Sequence, residues 1–269
     1  MLSEAETKPR VSILMGVYNC EDTLEEAFDS IINQTYQSFK IIVCDDGSVD
    51  STFQIATDYA NKYPDKVILI RNDRNEGLNY TLNRCLELAD TEYCARMDGD
   101  DISLPTRLEK ELEFLDSHPE YAIVSTPLIQ FDENGPFRIG KGGYEPAKDI
   151  CAKRTPFCHA PSMVRTQAYH AVGGYSVSPK LLRVEDYHLW VKLFAKGYRG
   201  FILDEPLYMM RDDLAAFKRR NFKGKLHVSY VQRYAVRTLQ LPKWKYIYSL
   251  RPIIVGLIPQ FLYNKIHRK

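Results

Sequence analysis

Apolar runs of β type alternate with segments of helical spacing through the first half of the chain. Val11-Ser-Ile-Leu-Met15 is a short β-rich run that ends in Gly16-Val17-Tyr18-Asn19, so a strand followed by a loop is expected. Between Glu21 and Gln34, apolar residues fall at Leu24, Ala27, Phe28, Ile31 and Ile32, which is helical spacing. Phe39 to Cys44 predicts a second, buried strand. Asp45-Asp46-Gly47-Ser48 ends it, and Asp50-Ser51-Thr52 supplies capping residues for a second helix. Val67 to Ile70 predicts a third strand, Asn75-Glu76-Gly77 a turn, and the segment through Leu88 a third helix. Glu92 to Met97 predicts a fourth strand, which ends in Asp98-Gly99-Asp100-Asp101. Leu104-Pro105 opens a helix through Leu115.

Four strand–helix alternations predict an α/β fold with right-handed crossovers and a mostly parallel central sheet flanked by helices. In such sheets ligands bind outside the carboxyl ends of the strands. The polar clusters at 45–48 and 98–101 both follow strands, so both belong on that edge. Two acidic clusters there look like a site for a cation and a polar ligand. The second half breaks the rhythm. Tyr121 to Ser125 predicts a strand, residues 132–148 an exposed loop or hairpin, and Thr155 to Arg165 an irregular strand around His159. Glu185 to Lys196 predicts a helix with Leu189, Trp190, Leu193 and Phe194 on its apolar side, and Phe201 to Tyr208 a late strand.

The composition, 45% hydrophobic and 26% charged over 269 residues, is that of a globular protein and excludes a disordered chain. Six cysteines without a C-x-x-C pair point to neither a disulfide scaffold nor a structural zinc site. The polar start, MLSEAETKPR, and the short run from Val11 to Tyr18 do not read as a signal peptide, so the cytoplasm is the expected compartment. The net charge of +1 hides an asymmetry. Residues 214–269 hold 13 Lys and Arg and no Asp or Glu, whereas residues 1–213 hold 23 basic and 35 acidic residues. An acidic body suits a cation, and a basic tail suits an anionic surface. The partition expected is a catalytic body over 1–213 and a basic amphipathic extension over 214–269.

Three carboxylates within Asp98–Asp101 repel one another unless a cation or solvent compensates. A hard divalent ion such as Mg²⁺ or Mn²⁺ suits oxygen ligands and bridges to phosphates. An acidic turn capping the next helix is the plainer alternative, and the same holds for Asp45–Ser48.

Taken in order, Val11–Asn19, Asp45–Thr52, Arg71–Gly77, Asp98–Asp101 and Glu185-Asp186-Tyr187-His188-Leu189-Trp190 resemble the family 2 glycosyltransferases of the GT-A (Rossmann-like) fold. The stretch Ala95–Arg107 looks most like bacterial enzymes of exopolysaccharide, capsule and lipopolysaccharide synthesis. The resemblance covers about residues 10–210 and implies a role for each matching position. Tyr18 would lie against the nucleotide base, and Asp46 would accept a hydrogen bond from the uracil N–H. Asp98 would lie near ribose or metal, and Asp100 would bind the metal, Mn²⁺ or Mg²⁺, that bridges the diphosphate. Asp186 would be the catalytic base, and His159, shortly before Ser162, would lie near the diphosphate or acceptor. An inverting transfer needs a carboxylate to take the acceptor proton and a compensating charge at the leaving diphosphate, so acids are required in two places.

Simpler readings stand beside these roles. Asp186 could cap its helix while Glu185 balances an arginine, and His159 could be a satisfied structural residue. Arg211 could clamp the diphosphate or pair with Asp212 or Asp213. Arg71 and Asn75 could join the donor pocket or form a solvated turn. Two departures from the family pattern matter. Gly16-Val17-Tyr18-Asn19 replaces the common Pro-x-Tyr-Asn, and no Gln-x-x-Arg-Trp is present, since Gln232-Arg233-Tyr234 does not match. The second departure argues for a non-processive enzyme.

The tail interleaves basic residues with Phe217, Phe222, Val228, Tyr230, Val231, Tyr234, Val236 and Leu239, then with Trp244, Tyr246, Ile247, Tyr248 and Leu250. Arg251-Pro252 and Pro259 interrupt the apolar run from Ile253 to Leu262, which argues against a membrane span and for an interfacial segment. Basic side chains near anionic lipid contribute about 1 kcal/mol each. Ordinary packed helices and a nucleic-acid patch are the competing readings. The membrane surface fits the resemblance, because such enzymes often glycosylate a lipid-linked acceptor at the cytoplasmic leaflet, and no nucleic-acid partner is expected. A homodimer contact would use the same apolar side.

The expectation is therefore a metal-dependent inverting transferase using a nucleotide sugar, of UDP type, on a glycan or lipid-linked glycan, peripheral at the inner face of the cell membrane. A sugar-phosphate nucleotidyltransferase would need a Gly-rich phosphate loop after the first strand. Met15–Cys20 has one glycine. A non-catalytic scaffold would be supported by loss of an acidic motif, and none is lost.

Overall fold

The structure, a computed structural model, describes residues 8–212 and 222–257. The first half forms β1 (Val11–Val17), α1 (Leu24–Ile32), β2 (Phe39–Asp45), α2 (Thr52–Lys62), β3 (Val67–Arg71), α3 (Leu78–Glu87), β4 (Tyr93–Met97), β5 (Ile102–Ser103) and α4 (Arg107–Ser117). Then follow β6 (Ile123–Ser125), β7 (Leu128–Asp132), β8 (Gly135–Ile139), β9 (Met163–Arg165), α5 (Thr166–Ala171), α6 (Glu185–Ala195), β10 (Gly200–Ile202) and β11 (Tyr208–Arg211). The extension forms α7 (Phe222–Thr238), a 3₁₀ segment at Lys243–Ser249 and α8 (Leu250–Leu257).

Seven strands form the main sheet in the order β10-β6-β9-β4-β1-β2-β3. The pairs β1–β2, β1–β4, β2–β3 and β6–β10 are parallel, and β9 runs antiparallel between β4 and β6. Helices cover both faces, which explains why the central strands are apolar without alternation. Along β1, Val11, Ile13, Met15 and Val17 face one core cluster with Phe28 and Ile31 of α1 and Leu108 and Leu112 of α4. Leu14 faces the opposite cluster with Leu82 of α3, Tyr169 of α5 and Trp190 of α6. The period-2 geometry of the strand divides the two cores.

A second sheet, β5-β11-β7-β8, lies beyond the main one. The expected late strand over Phe201–Tyr208 is in fact two. β10 pairs with β6 in the main sheet, and β11 pairs with β5 and β7 in the small one, with Pro206, which has no N–H to donate, between them. The hairpin expected over 132–148 starts earlier, since β7 begins at Leu128. Of the irregular strand expected over Thr155–Arg165, Met163–Arg165 is extended strand, and His159 lies in the turn before it. Two-residue β5 and six-residue α5 are too short to carry a periodic signal.

The extension shares a core with the body. Val231, Ala235 and Val236 of α7 cluster with Tyr187 and Val191 of α6 and with Cys151 and Ala152. α8 starts at Leu250 with Pro252 in its first turn, where a missing N–H costs nothing, and buries no residue. No helix among the described residues is long and apolar enough to cross a membrane. Residues 213–221 and 258–269 lie outside the described residues. They include Asp213, Phe217, Pro259, Gln260 and the basic terminus from Lys265 to Lys269.

Candidate active site

The loops after β1, β2 and β4 leave the same sheet edge and are tied to one another. The Asp46 N–H donates to the Val17 carbonyl at 2.8 Å. The Asn19 N–H donates to Ser48 Oγ at 3.0 Å, and the Val49 N–H returns to Asn19 Oδ1 at 3.1 Å. Asn19 sits at φ +49°, a left-handed conformation that asparagine tolerates better than most residues. Thr23 Oγ1 donates to the Gly99 carbonyl at 2.9 Å, which joins the acidic turn to the start of α1. On this framework the Tyr18 ring is 46% exposed, open to stacking.

Asp46 is buried and accepts three hydrogen bonds. Oδ1 receives Asn72 Nδ2 at 2.6 Å and the Glu76 N–H at 2.9 Å, and Oδ2 receives the Gly77 N–H at 2.9 Å. A carboxylate has about four acceptor positions, so one remains. Asp45 is also buried and receives Arg71 Nε at 3.0 Å. Arg71 lies over the Phe53 ring at 4.1 Å and donates to the Ser48 carbonyl at 2.9 Å. It thus braces the Asp45–Ser48 turn rather than standing free in solvent.

One oxygen from each of Asp98, Asp100 and Asp101 lies within 4.8 Å of the others. The three differ in surroundings. Asp98 pairs with the fully buried Arg96, and its N–H donates to the Tyr208 hydroxyl at 3.2 Å. Asp101 is buried, and its Oδ1 receives the Arg211 N–H at 2.9 Å. Burial, with the charges of Asp98 and Asp100, pushes Asp101 well above the usual carboxylate range. Asp98 and Asp100 are the more open of the three, both half-buried where Asp101 is buried. The oxygen chemistry of the cluster fits Mg²⁺ or Mn²⁺, and Asp101 is also tied to β11 through the Arg211 N–H. Arg211 donates through Nε to the Asp100 carbonyl at 3.0 Å and through Nη2 to Glu26 at 2.6 Å. Its guanidinium is engaged by the acidic turn and α1, and it stacks over Phe131 at 4.6 Å.

Asp186 lies in the first turn of α6, where Val184 occupies the N-cap position and no side chain caps the helix. The Asp186 carboxylate itself meets the backbone N–H groups of Asp186 and Tyr187 at this helix start. Arg183, just before, holds φ +64°, a strained conformation for a side chain of its size. Burial, then the charge of Glu185 and more weakly that of Asp98, raises Asp186 to about 7. Burial raises Glu185 as well. The two acidic regions, far apart in sequence, thus lie within electrostatic reach at one sheet edge.

β9 runs antiparallel to β4, so the residues before it return to the edge where β4 ends. That is what brings His159 there. His159 Nε2 shares a hydrogen bond of 2.7 Å with the Tyr175 hydroxyl, which meets the Tyr169 hydroxyl at 3.2 Å. Burial and the neighbouring Arg96 hold His159 well below the usual imidazole range, so the ring is neutral. Cys158 beside it is pushed up to about 12 by burial and by the charges of Asp186, Asp101 and Asp98, which favours the thiol over the thiolate.

Sequence reasoning did not single out Arg96, Tyr208, Tyr175 or Asn72. Arg96 had a usable signal, a lone cation inside the apolar run Tyr93–Met97, two residues before Asp98. Tyr208 had none, because its contact with Asp98 spans 110 residues.

The family model for glycosyl transferase family 2 matches residues 12–173. EpsE of Bacillus subtilis (strain 168), which carries a provisional glycosyltransferase name, is 43% identical over 97% of this chain and 94% of its own length. The amylovoran biosynthesis glycosyltransferase AmsE of Erwinia amylovora is 31% identical over 94% of this chain and 98% of its own. Among solved structures, TarS 1-349 of S. aureus in complex with UDP superposes with a TM-score of 0.69 at 17% identity, covering 96% of this chain and 78% of that one. The mannosyltransferase PcManGT of Pyrobaculum calidifontis, in complex with GDP-Man and Mn²⁺, gives 0.69 at 17% identity over 97% and 79%. The matched stretch takes in the loops after β1, β2 and β4 as well as His159, and with the fold it shows that the chain belongs to glycosyl transferase family 2, as an enzyme of the GT-A fold.

Proposed function

We propose that the chain transfers one sugar, with inversion, from a UDP-sugar to a lipid-linked glycan at the inner face of the cell membrane. The observation that carries this reading is the convergence of Asp98 and Asp100 with Asp186 at one edge of the sheet. Asp98 and Asp100 would hold Mn²⁺ or Mg²⁺, which when bound supplies positive charge to the leaving diphosphate. Tyr18 stacks on the base, and Asp46 offers its remaining acceptor position to the uracil N–H. Arg71 stiffens that turn. Asp186 takes the proton of the attacking hydroxyl, and a base near 7 suits that task at neutral pH. His159, neutral and held by Tyr175, lies near the diphosphate or acceptor. Arg211 holds the acidic turn and would reach the diphosphate only by leaving Glu26.

The relatives' names support the substrate class. WfaP of Escherichia coli, 29% identical, is named as a glucosyltransferase using UDP-Glc on α-D-GlcNAc-diphosphoundecaprenol. A second Escherichia coli relative, 27% identical, is named for UDP-Gal and the same type of acceptor. The basic extension would face the anionic leaflet, consistent with exposed Trp244, Ile247 and Leu257 among its cations.

The test is release of UDP from a panel of UDP-sugars with Mn²⁺ and a lipid extract as acceptor, beside Asp100→Ala and Asp186→Asn. Metal-dependent turnover of one sugar, lost in both variants, is the expected result. Silence across UDP, GDP and dTDP sugars would overturn the transferase reading and favour a non-catalytic scaffold.

A further inference from the structure

A cleft of about 560 Å³ opens between α7, the 3₁₀ segment and α8. Its lining combines Arg233 and Arg237 with Tyr230, Tyr234, Tyr246 and Ile253. Tyr230, Arg233 and Arg237 fall three and four residues apart, so they share one face of α7. The opposite stripe, with Val231 and Ala235, is the one buried against α6.

The cations of the cleft are uncommitted. Among the described residues, the side chains of Arg233 and Arg237 make no ion pair and no hydrogen bond, and residues 214–269 hold no acid that could neutralise them. Two guanidiniums one helical turn apart, each a planar fork of donors, suit phosphate oxygens better than a point charge would. Tyr230, Tyr234 and Tyr246 line the same cleft. Beside the cleft lies exposed hydrocarbon. α8 buries no residue, and Ile254 and Leu257 are 61% and 70% exposed.

The cleft also touches the catalytic element. The Tyr234 ring stacks on His188 at 4.4 Å, one α6 position beyond Tyr187 and two beyond Asp186. Burial holds His188 near 4, so this wall adds no charge of its own. A ligand seated by its phosphates on Arg233 and Arg237 therefore has the hydrocarbon surface of α8 open beside it, and Tyr234 links the cleft wall to α6.

We infer that this cleft binds the diphosphate of the lipid-linked acceptor, with the isoprenoid chain lying along the exposed face of α8. The inference rests on the acceptor class proposed above and adds the site that selects it. Anionic headgroups of a bilayer would meet the same cations, but a general surface would not require paired arginines inside a concave, tyrosine-lined cleft.

The experiment uses the full chain and phosphatidylcholine vesicles that carry a few mole per cent of polyprenyl diphosphate, or phosphatidylglycerol at matched charge. Sedimentation should show at least about tenfold tighter binding to the polyprenyl diphosphate vesicles. Arg233→Gln with Arg237→Gln should remove that preference, and thermal unfolding with UDP calorimetry checks that the variant is folded. Equal binding to both vesicle types, or an unaltered preference in the double variant, would overturn the site. UDP binding is read separately, so failure of the transferase reading shows as lost nucleotide binding with the lipid preference intact.

Discussion

Arg96 is fully buried in β4 and makes its ion pair with Asp98, the first carboxylate of the candidate metal pair. Its Nη1 donates to the Leu14 carbonyl at 3.2 Å, while its Nε has no partner among the described residues. A buried guanidinium that loses its ion-pair partner is left poorly compensated. Asp98→Asn should therefore lose stability as well as metal-dependent activity. A cost of about 1–3 kcal/mol is expected, at the lower end because Asp98 is partly solvated. The double variant Arg96→Met with Asp98→Asn should recover part of that stability without recovering activity. Urea unfolding of the four forms as a double-mutant cycle measures it. A coupling of zero would mean that the pair is incidental.

Asp186 should set the acidic limb of the pH profile. Raised to about 7, it is protonated and idle as a base below that pH, so kcat/KM should rise through about 7 and level above it. Asp186→Asn should lower kcat by roughly 10²–10⁴-fold and flatten the limb. The same shift has a stability consequence. A carboxyl whose folded value lies above its unfolded value favours folding at low pH, and the folded state loses ground as pH rises through the folded value. Asp186→Asn should thus melt higher than wild type at pH 8 and equal to it at pH 4. A wild-type profile flat from pH 5 to 9 would remove Asp186 from the base role.

The strands and helices up to Leu115 were legible because burial on both faces of a parallel sheet writes itself as apolar runs, and α1 and α3 as stripes. The acidic loops were legible for a related reason, since carboxylates at strand ends stand out against apolar runs. What lay hidden depends on contacts far apart in sequence. β5 is held by pairing with β11 across 105 residues or more, as in Tyr208 with Ser103, and no local pattern encodes that partner. His159 was visible as a residue but not as a neutral one, because its surroundings come from Tyr175 and Arg96. The extension's charge was plain, but its docking on α6 was not, since the stripe Val231, Ala235 and Val236 also fits a free amphipathic helix.

Glu111 predicts a pH-dependent core under the acidic edge. Both Glu111 and Arg107 are fully buried, with Nε and Oε2 at 3.8 Å, too long for a hydrogen bond. Arg107 Nη2 donates to the Arg96 carbonyl at 3.2 Å, and its guanidinium lies 5.1 Å from the Tyr208 ring. Burial raises Glu111 to about 8, against the pull of Arg107. Its folded value exceeds its unfolded value, so stability is greatest below about pH 4.5 and is lost as pH climbs through about 8, at no more than about 1.4 kcal/mol per pH unit. Glu111→Gln should match wild type near pH 5 and exceed it at pH 8.5. Denaturant midpoints at the two pH values decide it, and equal differences at both would show that Glu111 is ionised throughout.

Gly47 ties the backbone of the Asp45–Ser48 turn to donor affinity. It holds φ +72°, and a Cβ placed there would come 2.7 Å from the backbone carbons of Arg74. Neither atom can yield by rotating a side chain, so the 72–77 turn itself has to move. That turn supplies the Glu76 and Gly77 N–H groups to Asp46, at 2.9 Å each. Moving it away breaks those bonds and shifts the carboxylate proposed to read the base. Gly47→Ala should therefore weaken UDP binding by about tenfold or more, with a loss of stability of about 1–2 kcal/mol from the left-handed conformation alone. Because Asp186 and the Asp98–Asp101 turn lie elsewhere on the sheet edge, kcat at saturating donor should change much less than KM. Calorimetry with UDP, set beside thermal melts, separates the two effects. An unchanged UDP affinity in a folded Gly47→Ala protein would mean that the base is read elsewhere than at Asp46.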